Sequence, residues 1–347
     1  MSLRLGGPPI EESVLRQALA DAHGIAIADL LPEREGADSA AWAYRVTATD
    51  GRRWFVKLRR EIRPAAILVP RHLRAIGLTE VVAPVPPSGR ASRTPWLEIG
   101  PWSVLVSPLV EAPSAMRAGL SLESWARLGD FAKRLHAVEL PDELSALVPD
   151  EDFRPKATRL ARRLDARIAG GGIGTGDELG RLVVSRWSAD RRTILRLVDR
   201  ADELGKRIRE GAPPPRAVLC HADFHAANIL VDAAGGLSIV DWDELAHAPP
   251  ERDLMFVRGS AIAEIVTDAQ ADAFERGYGP ASADPLLIAY YRIDWAVQDL
   301  AGFADQVLFG PVTDPEARAR AAALFDGQFA AGNEVDTAIA ADEALAR

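Results

Sequence analysis

Cysteine is almost absent from the sequence: Cys220 is the only one in 347 residues. An intramolecular disulfide and a cysteine-based zinc site are therefore excluded. Basic residues are also fewer than acidic ones, 41 Lys and Arg against 50 Asp and Glu, which gives a formal net charge of −9. No apolar run approaches the roughly 18 residues that a membrane-spanning helix needs. We therefore expect a cytoplasmic protein that binds neither nucleic acid nor membrane.

Length and composition favour a globular chain with two domains. The sequence has 347 residues, of which 48% are hydrophobic, and about 150 residues per domain predicts two domains. Strand-like runs dominate the first third, and helical periodicity dominates the remainder. We predict an α+β fold in which residues 1–109 form a small β-rich lobe with one helix. Residues 110–347 are expected to form a larger, mostly helical lobe.

Local patterns predict the elements of the first lobe. Runs rich in aromatic and β-branched residues over 41–46 and 53–58, joined by Asp50-Gly51, predict a β-hairpin. Helical spacing and further short apolar runs complete the lobe. The remaining predicted elements are two helices, over 10–19 and 65–76, and two strands, around 95–99 and 102–106.

The most informative segment is H-A-D-F-H-A-A-N-I-L-V at 221–231, followed by S-I-V-D-W-D at 238–243. The apolar residues on either side of 232–236 predict a second hairpin, whose open end would bring Asn228 and Asp241 together. An amide oxygen and a carboxylate are ligands that suit Mg²⁺. The pattern therefore predicts a magnesium site at the end of this hairpin.

Two further residues supply the other groups that phosphoryl transfer uses. Asp223 precedes the predicted magnesium site in the same loop, where its carboxylate can accept the proton of an attacking hydroxyl. Lys57 stands in W-F-V-K-L on the second strand of the first hairpin, which is where kinases place the lysine that binds nucleotide phosphates. These residues together match the working parts of a kinase.

These motifs jointly resemble those of the aminoglycoside phosphotransferase family, whose members share the protein-kinase-like fold. The segments A-P-P-E-R-D-L-M-F at 248–256 and Y-Y-R-I-D-W-A-V-Q-D at 290–299 are most similar to spectinomycin phosphotransferases within that family. The resemblance covers most of the chain, from about residue 41 to residue 299. It implies a two-lobed enzyme that uses ATP or GTP with Mg²⁺, and a small cationic substrate that bears a hydroxyl.

The resemblance also implies roles for individual residues. The roles are the catalytic base for Asp223, Mg²⁺ ligands for Asn228 and Asp241, and a contact to the ATP phosphates for Lys57. Because Pro108 lacks an N–H, the backbone pair that would hold adenine is the C=O of Ser107 and the N–H of Leu109. Ser39, in the loop 36–42, is a candidate nucleotide contact. The candidates for binding the acceptor are Asp243, Tyr291, Asp294, Trp295 and Asp299.

Three points stay open at this level. The helix predicted after Lys57 contains no acid, so Lys57 pairs either with Glu61 or with another group. Asp243 either supports the magnesium site or contacts the acceptor. The helix predicted over 285–304 has one apolar stripe, and its other side, which includes Tyr291, either lines a pocket for a cation or packs against a neighbouring helix.

The residues that flank the main motif are expected to have structural roles. His221 is predicted to tie down the catalytic loop, and His225 to be an ordinary surface or loop residue. Arg252 and Asp253 are predicted to brace the same loop. Cys220 lies in an apolar strand, where a small buried side chain fits.

The sequence therefore predicts a kinase that transfers the γ-phosphoryl group of ATP to a hydroxyl of an aminoglycoside or aminocyclitol such as spectinomycin. A kinase for another amino alcohol, choline-like or a sugar amine, is one alternative, and a catalytically idle nucleotide-binding protein is another. Only seven residues, 242–248, separate Asp241 from Pro249, too few for the activation segment of a protein kinase, so a protein substrate is disfavoured. The oligomeric state stays open.

Overall fold

A computed structural model of the chain describes residues 10–33, 41–88, 94–171, 176–257, 266–280, 283–310 and 315–345. The chain divides into two compact units. The first unit is drawn from Met1–Ser124, Glu139–Pro149 and Ala226–Leu245. The second is drawn from Trp125–Val138, Asp150–His225 and Ala246–Arg347.

This division differs from the single boundary that the sequence suggests after Leu109. The first unit continues to Ser124, and two later segments of the chain, 139–149 and 226–245, also belong to it. The second of these segments contains the predicted magnesium ligands, so these residues share a unit with the large sheet. The extents 1–109 and 110–347 stay a prediction about the two lobes.

The first unit contains an antiparallel sheet of five strands in the order β1-β2-β3-β5-β4. The strands are β1 Ile27–Glu33, β2 Ala41–Ala48, β3 Arg53–Arg59, β4 Leu97–Ile99 and β5 Trp102–Pro108. The predicted hairpin is confirmed as β2 and β3, and Gly51 in its turn has a φ of 83°. Two-residue alternation puts Val56 and Leu58 on one face of β3 and Lys57 on the other.

Short strands occur in both units. They are β6 Val218–Cys220, β7 Ile229–Val231, β8 Leu237–Ile239 and β9 Ala246–Ala248. β7 pairs with β8 in the first unit, which confirms the second predicted hairpin, and β6 pairs with β9 in the second unit.

The described residues also form twelve α-helices and a 3-10 turn at Ala226–Asn228. The helices are α1 Glu12–His23, α2 Ala65–Ala75, α3 Ala115–Ala118, α4 Leu122–His136, α5 Asp142–Ser145, α6 Thr158–Ala169, α7 Glu178–Glu210, α8 Glu251–Leu254, α9 Asp268–Tyr278, α10 Pro285–Phe309, α11 Pro315–Gly327 and α12 Glu334–Leu345. The helices predicted over 10–19 and 65–76 correspond to α1 and α2. Within the described ranges, none of these helices has the length and apolar character needed to cross a bilayer.

The helix α10 is the central element of the second unit. It packs against α6, α7, α8, α11 and α12, and every residue from 291 to 297 is buried. Of the two possibilities left open for the other side of this helix, packing against neighbouring helices is observed, and Tyr291, Asp294 and Trp295 are buried. A single apolar stripe predicts one buried face, but neighbours on several sides bury the polar positions as well.

Candidate active site

The hairpin of β7 and β8 positions Asn228 and Asp241 at one end, as predicted. Ile229 lies opposite Ile239, and the N–H of Val240 donates to the C=O of Asn228 at 3.0 Å. Asp241 follows directly, with a left-handed φ of 61° that a non-glycine residue adopts only at a cost in free energy. The strand pairing therefore brings the two predicted magnesium ligands to the same end of the hairpin.

Lys57 contacts two aspartates of this segment. Its Nζ lies 3.1 and 3.2 Å from the two carboxylate oxygens of Asp241 and 2.7 Å from Oδ2 of Asp243. Glu61 is exposed to solvent. The acid that the helix after Lys57 lacks is thus replaced by Asp241 and Asp243, which the sequence analysis left as an open possibility.

A second cation balances this cluster. Arg59, two residues after Lys57 on the same face of β3, donates from Nη1 to Asp243 Oδ2. Burial opposes the charge of Lys57, but the carboxylates of Asp241 and Asp243 outweigh it and raise the pKa of Lys57. Burial likewise opposes the charge of Asp243, yet Lys57 and Arg59 lower its pKa. Burial and the neighbouring Asp243 raise the pKa of Asp241 despite the contact with Lys57.

The loop that carries Asp223 is held by Asp253, which is 1% exposed. The carboxylate of Asp253 accepts the N–H of His221 at 2.9 Å and the N–H of Ala222 at 2.7 Å, and Nε2 of His136 lies 3.1 Å away. Ala222 has a left-handed φ of 65°. Burial opposes the charge of Asp253, but His136, the charge of His221 and the N–H of Ala222 lower its pKa. The predicted bracing of the loop by Asp253 is confirmed.

Asp223 is held in its charged form within this loop. Its N–H donates to Nδ1 of His221 at 3.3 Å, and its Oδ2 lies 3.4 Å from Nε2 of His225. Burial raises the pKa of Asp223, but the contact with His225 and the charges of the histidines and of Arg252 lower it well below the ordinary value. A carboxylate that stays ionised is a suitable proton acceptor.

His225 is therefore more than the ordinary loop residue that the sequence suggested. Its side chain is 15% exposed, and its ring packs against Trp295 and Phe256 with centroid distances of 6.3 and 6.0 Å. The sequence signal was present, because the imidazole stands two residues after Asp223 in the motif.

The acceptor candidates on α10 fall into two groups. Trp295 contacts the ring of His225, and Asp299 lies within electrostatic reach of Asp223 and His225. Tyr291 and Asp294 instead surround the buried guanidinium of Arg252, which lies 5.5 Å from the ring centre of Tyr291. Burial raises the pKa of Asp294 to about 6 despite the charge of Arg252.

Asp299 pairs with Glu334, a residue that the sequence analysis did not single out. Burial and the nearby Asp223 raise the pKa of Asp299 to about 7, although Glu334 opposes this rise. Glu334 is 3% exposed, and burial together with Asp299 raises its pKa well above the ordinary value. Because the two carboxyl groups are hydrogen-bonded and both pKa values are raised, we expect the pair to share a proton. No local pattern around Glu334 indicates this contact.

The nucleotide contacts predicted near β5 require one correction. The N–H of Leu109 donates to the C=O of Arg53 at 3.1 Å, so it is already engaged in the sheet. The alternation of an antiparallel ladder points the C=O of Ser107 towards β3 as well, because Phe55 is its partner. By the same alternation, the C=O of Pro108 points away from β3. Ser39 lies outside the described residues.

Comparison with known proteins gives the family. The profile of the phosphotransferase enzyme family matches residues 34–291. The chain belongs to this family. Protein StrN of Streptomyces griseus is 29% identical to this phosphotransferase over 287 residues, which cover 80% of this chain and 79% of StrN.

Solved structures agree with this family membership. The crystal structure of spectinomycin phosphotransferase APH(9)-Ia in complex with ADP and spectinomycin is 27% identical, with a TM-score of 0.85 over 97% of this chain and 100% of that chain. Amicoumacin kinase hAmiN, in complex with AMP-PNP, Ca²⁺ and Ami, is 13% identical, with a TM-score of 0.61 over 92% of this chain and 93% of that chain. The predicted two-lobed, protein-kinase-like α+β fold is thereby confirmed, as is the predicted enzyme class, an ATP-dependent phosphotransferase.

Proposed function

We propose that this phosphotransferase transfers the γ-phosphoryl group of ATP to a hydroxyl of a small cationic aminocyclitol, with spectinomycin as the leading acceptor. The observation that carries the reaction type is the ionised Asp223 in a loop braced by Asp253. The likeness to spectinomycin phosphotransferase, with a TM-score of 0.85 at 27% identity, supports the acceptor class. We further propose that the enzyme acts in the cytoplasm.

Asp223 is the proposed catalytic base. The acceptor oxygen attacks the γ-phosphorus as the bond from that phosphorus to the oxygen bridging to the β-phosphate breaks. The proton of the acceptor hydroxyl passes to the carboxylate of Asp223, and ADP leaves with the electron pair of the broken bond. Positioning and electrostatic stabilisation supply most of the rate in such reactions.

Lys57 and the end of β5 are proposed to hold the nucleotide. The buried ammonium of Lys57 neutralises charge on the phosphates, in place of part of its present contact with Asp241 and Asp243. Because the groups of Ser107 and Leu109 face β3, the pair proposed to bind adenine is instead the C=O of Pro108 and the N–H of Val110. The same pair would bind guanine less well, because guanine has a carbonyl where adenine has an amino group.

The residues at the end of the β7–β8 hairpin fit Mg²⁺. Asn228 is 9% exposed, and Asp241 offers a carboxylate whose pKa is raised by burial and by the neighbouring Asp243. Hard oxygen donors of this kind suit Mg²⁺, and a divalent cation relieves the repulsion between two carboxylates. We propose that Asn228 and Asp241 hold the ion and that Asp243 supports them. Bound Mg²⁺ would neutralise charge on the phosphates.

An idle nucleotide-binding protein becomes a weaker alternative. Its main support was the missing acid after Lys57, and Asp241 and Asp243 now supply that charge. A kinase for another amino alcohol uses the same base and nucleotide contacts, so the acceptor must be decided by experiment.

The test is an ADP-release screen with ATP and panels of aminocyclitols, aminoglycosides and amino alcohols. We expect turnover with spectinomycin, and loss of turnover in Asp223→Asn but not in the matched control Asp272→Asn, an exposed residue of α9. Turnover with another panel alone would replace spectinomycin as the acceptor. No ADP release with any panel would favour the catalytically idle nucleotide-binding protein. Expression in a susceptible host, with the inhibitory concentration of spectinomycin as the readout, tests a role in resistance.

A further inference from the structure

The ring of His225 is fixed by two aromatic side chains. It stacks on Trp295 at an interplanar angle of 27° and meets Phe256 at 56°. Phe256 and Trp295 contact each other edge to face, with centroids 4.9 Å apart. Trp295 lies on the central helix α10, so the imidazole is held against one of the most buried elements of its unit.

Backbone hydrogen bonds also fix the position of His225 relative to Asp223. The N–H of His225 donates to the C=O of Asp223 at 2.9 Å, which closes a tight turn. His221 and Ala222, which directly precede Asp223, are held in turn, because their N–H groups donate to the carboxylate of Asp253. Because both ends of this short segment are anchored, Nε2 of His225 stays directed at Oδ2 of Asp223, 3.4 Å away.

We propose that His225 is a positioning residue for the catalytic base. The neutral imidazole, as the tautomer with a proton on Nε2, donates to Oδ2 of Asp223 and so fixes the orientation of the carboxylate that accepts the proton. We expect the distance of 3.4 Å to shorten when substrate binds, since catalytic hydrogen bonds are often long before substrate binds. This inference rests on the proposed role of Asp223 as the base.

Several charged groups face the pair of Asp223 and His225. Asp299 lies on α10 one turn after Trp295, and its charge acts on both members of the pair. His221 and Arg252 act on Asp223 from the loop and from α8. A doubly protonated His225 would form an ion pair with Asp223 and lower its basicity, so activity should fall as the pH drops through the pKa of His225.

The kinetic experiment compares two variants of His225. His225→Phe keeps a ring between Trp295 and Phe256 but removes the donor, and His225→Gln keeps an N–H donor at the end of a side chain of similar reach. We expect His225→Phe to lower kcat with spectinomycin about 10–100-fold, with the KM for ATP within about twofold of wild type. His225→Gln should recover part of this loss. The control His72→Gln, in α2 of the other unit, should leave both constants unchanged.

The fall of kcat at low pH, the acid limb of the pH profile, distinguishes a positioning role of His225 from a role in packing alone. Wild type should lose kcat as His225 takes up its second proton, and His225→Phe should lack this limb while it still unfolds at a temperature near that of wild type. A His225→Phe variant with wild-type kcat and an unchanged acid limb overturns the proposal. If this variant does not fold, His225→Gln carries the same comparison.

A second measurement needs no acceptor. The histidine side chains are titrated by nuclear magnetic resonance, and the signal that disappears in His225→Gln is that of His225. We expect Asp223→Asn to lower the pKa of His225 by about one unit, because the carboxylate that favours its charged form is lost. Asp272→Asn should not change it. An unchanged pKa in Asp223→Asn refutes the contact, whereas a wild-type enzyme that phosphorylates nothing while the coupling persists refutes only the proposed function.

Discussion

Asp243 in the first unit and Asp299 in the second unit have opposite electrostatic surroundings. In the first, a strand places Lys57 and Arg59 on one face, and both cations contact Asp243, whose pKa falls although burial opposes this. In the second, Asp299 faces another acid, Glu334, and its pKa rises to about 7 through burial. A strand presents like residues at every second position, whereas two packed helices can bring acids together without a cation.

Asp223 differs from Asp299 although both belong to the second unit. It lies within electrostatic reach of Asp299, yet its pKa falls, because His225 contacts its carboxylate and nearby histidines and Arg252 add positive charge. The unit thus holds an ionised acid close to a proton-sharing pair of acids. Acids held in different protonation states within one site are a feature of catalytic centres. The predictions below test this contrast in order of expected effect.

The largest effect is expected from removing the charge of Asp223. Asp223→Asn keeps the shape of the side chain and its place in the loop but cannot take the proton, so kcat should fall about 10²–10⁴-fold. Nucleotide binding should remain, since Lys57 and the end of β5 are unaltered. Titration with a fluorescent ATP analogue and single-turnover kinetics measure the two quantities separately. Retained turnover would rule out Asp223 as the base.

The next largest effect is expected from changing Asp253, whose carboxylate holds the loop that carries Asp223. Asp253→Asn leaves one acceptor oxygen where three groups now bind, His136 and the N–H groups of His221 and Ala222. A buried donor without a partner costs about 1–3 kcal/mol of the free energy of unfolding. Urea denaturation should therefore show a lower midpoint with an unchanged slope. The matched variant Asp232→Asn, in the exposed turn between β7 and β8, should cost less.

Replacing Lys57 should lower kcat/KM for ATP more than replacing Arg59, although both side chains contact Asp243. Lys57 contacts both aspartates and is proposed to bind the phosphates, so Lys57→Met should lower kcat/KM for ATP about 10–100-fold. Arg59 contacts Asp243 and is not proposed to bind the phosphates, so Arg59→Met should lower kcat/KM for ATP only about threefold. Steady-state kinetics at varied ATP measure both. Equal losses would indicate that Lys57 balances the charge of Asp241 and Asp243 and does not bind the nucleotide phosphates.

Local patterns were sufficient for the hairpins and insufficient for several contacts of the site. Asp50-Gly51 and the apolar runs around it specify β2 and β3, because a tight turn sets the register of its strands. The strand β1 was missed, since Leu30, Leu31 and Pro32 break the alternation that marks a strand. A local pattern of this kind predicts the structure of residues close in sequence, but it does not predict contacts between residues far apart in the chain.

The partners of Lys57 and Asp299 depend on such distant contacts. Asp241 lies 184 residues after Lys57, so its role as the missing acid required the structure. Glu334 lies beyond residue 291, where the match to the family ends, and outside every motif that the sequence analysis used. Motifs therefore found the residues proposed to react, and tertiary packing determined which groups set their charge.

The smallest effect is expected from the pair of Asp299 and Glu334. The folded pKa of Asp299, about 7, lies above the value of about 3.9 for an unfolded aspartate. The folded chain therefore binds more protons between these values, and its stability should fall as the pH rises from about 4 to about 7. Asp299→Asn removes this penalty and should stabilise the protein at pH 8 by about 1–2 kcal/mol, because the partly buried Asp299 keeps some hydration. Thermal unfolding at pH 5 and pH 8 measures the difference, with Asp305→Asn on α10 as the control. A gain that was larger at pH 5 would mean that the pair carries no shared proton.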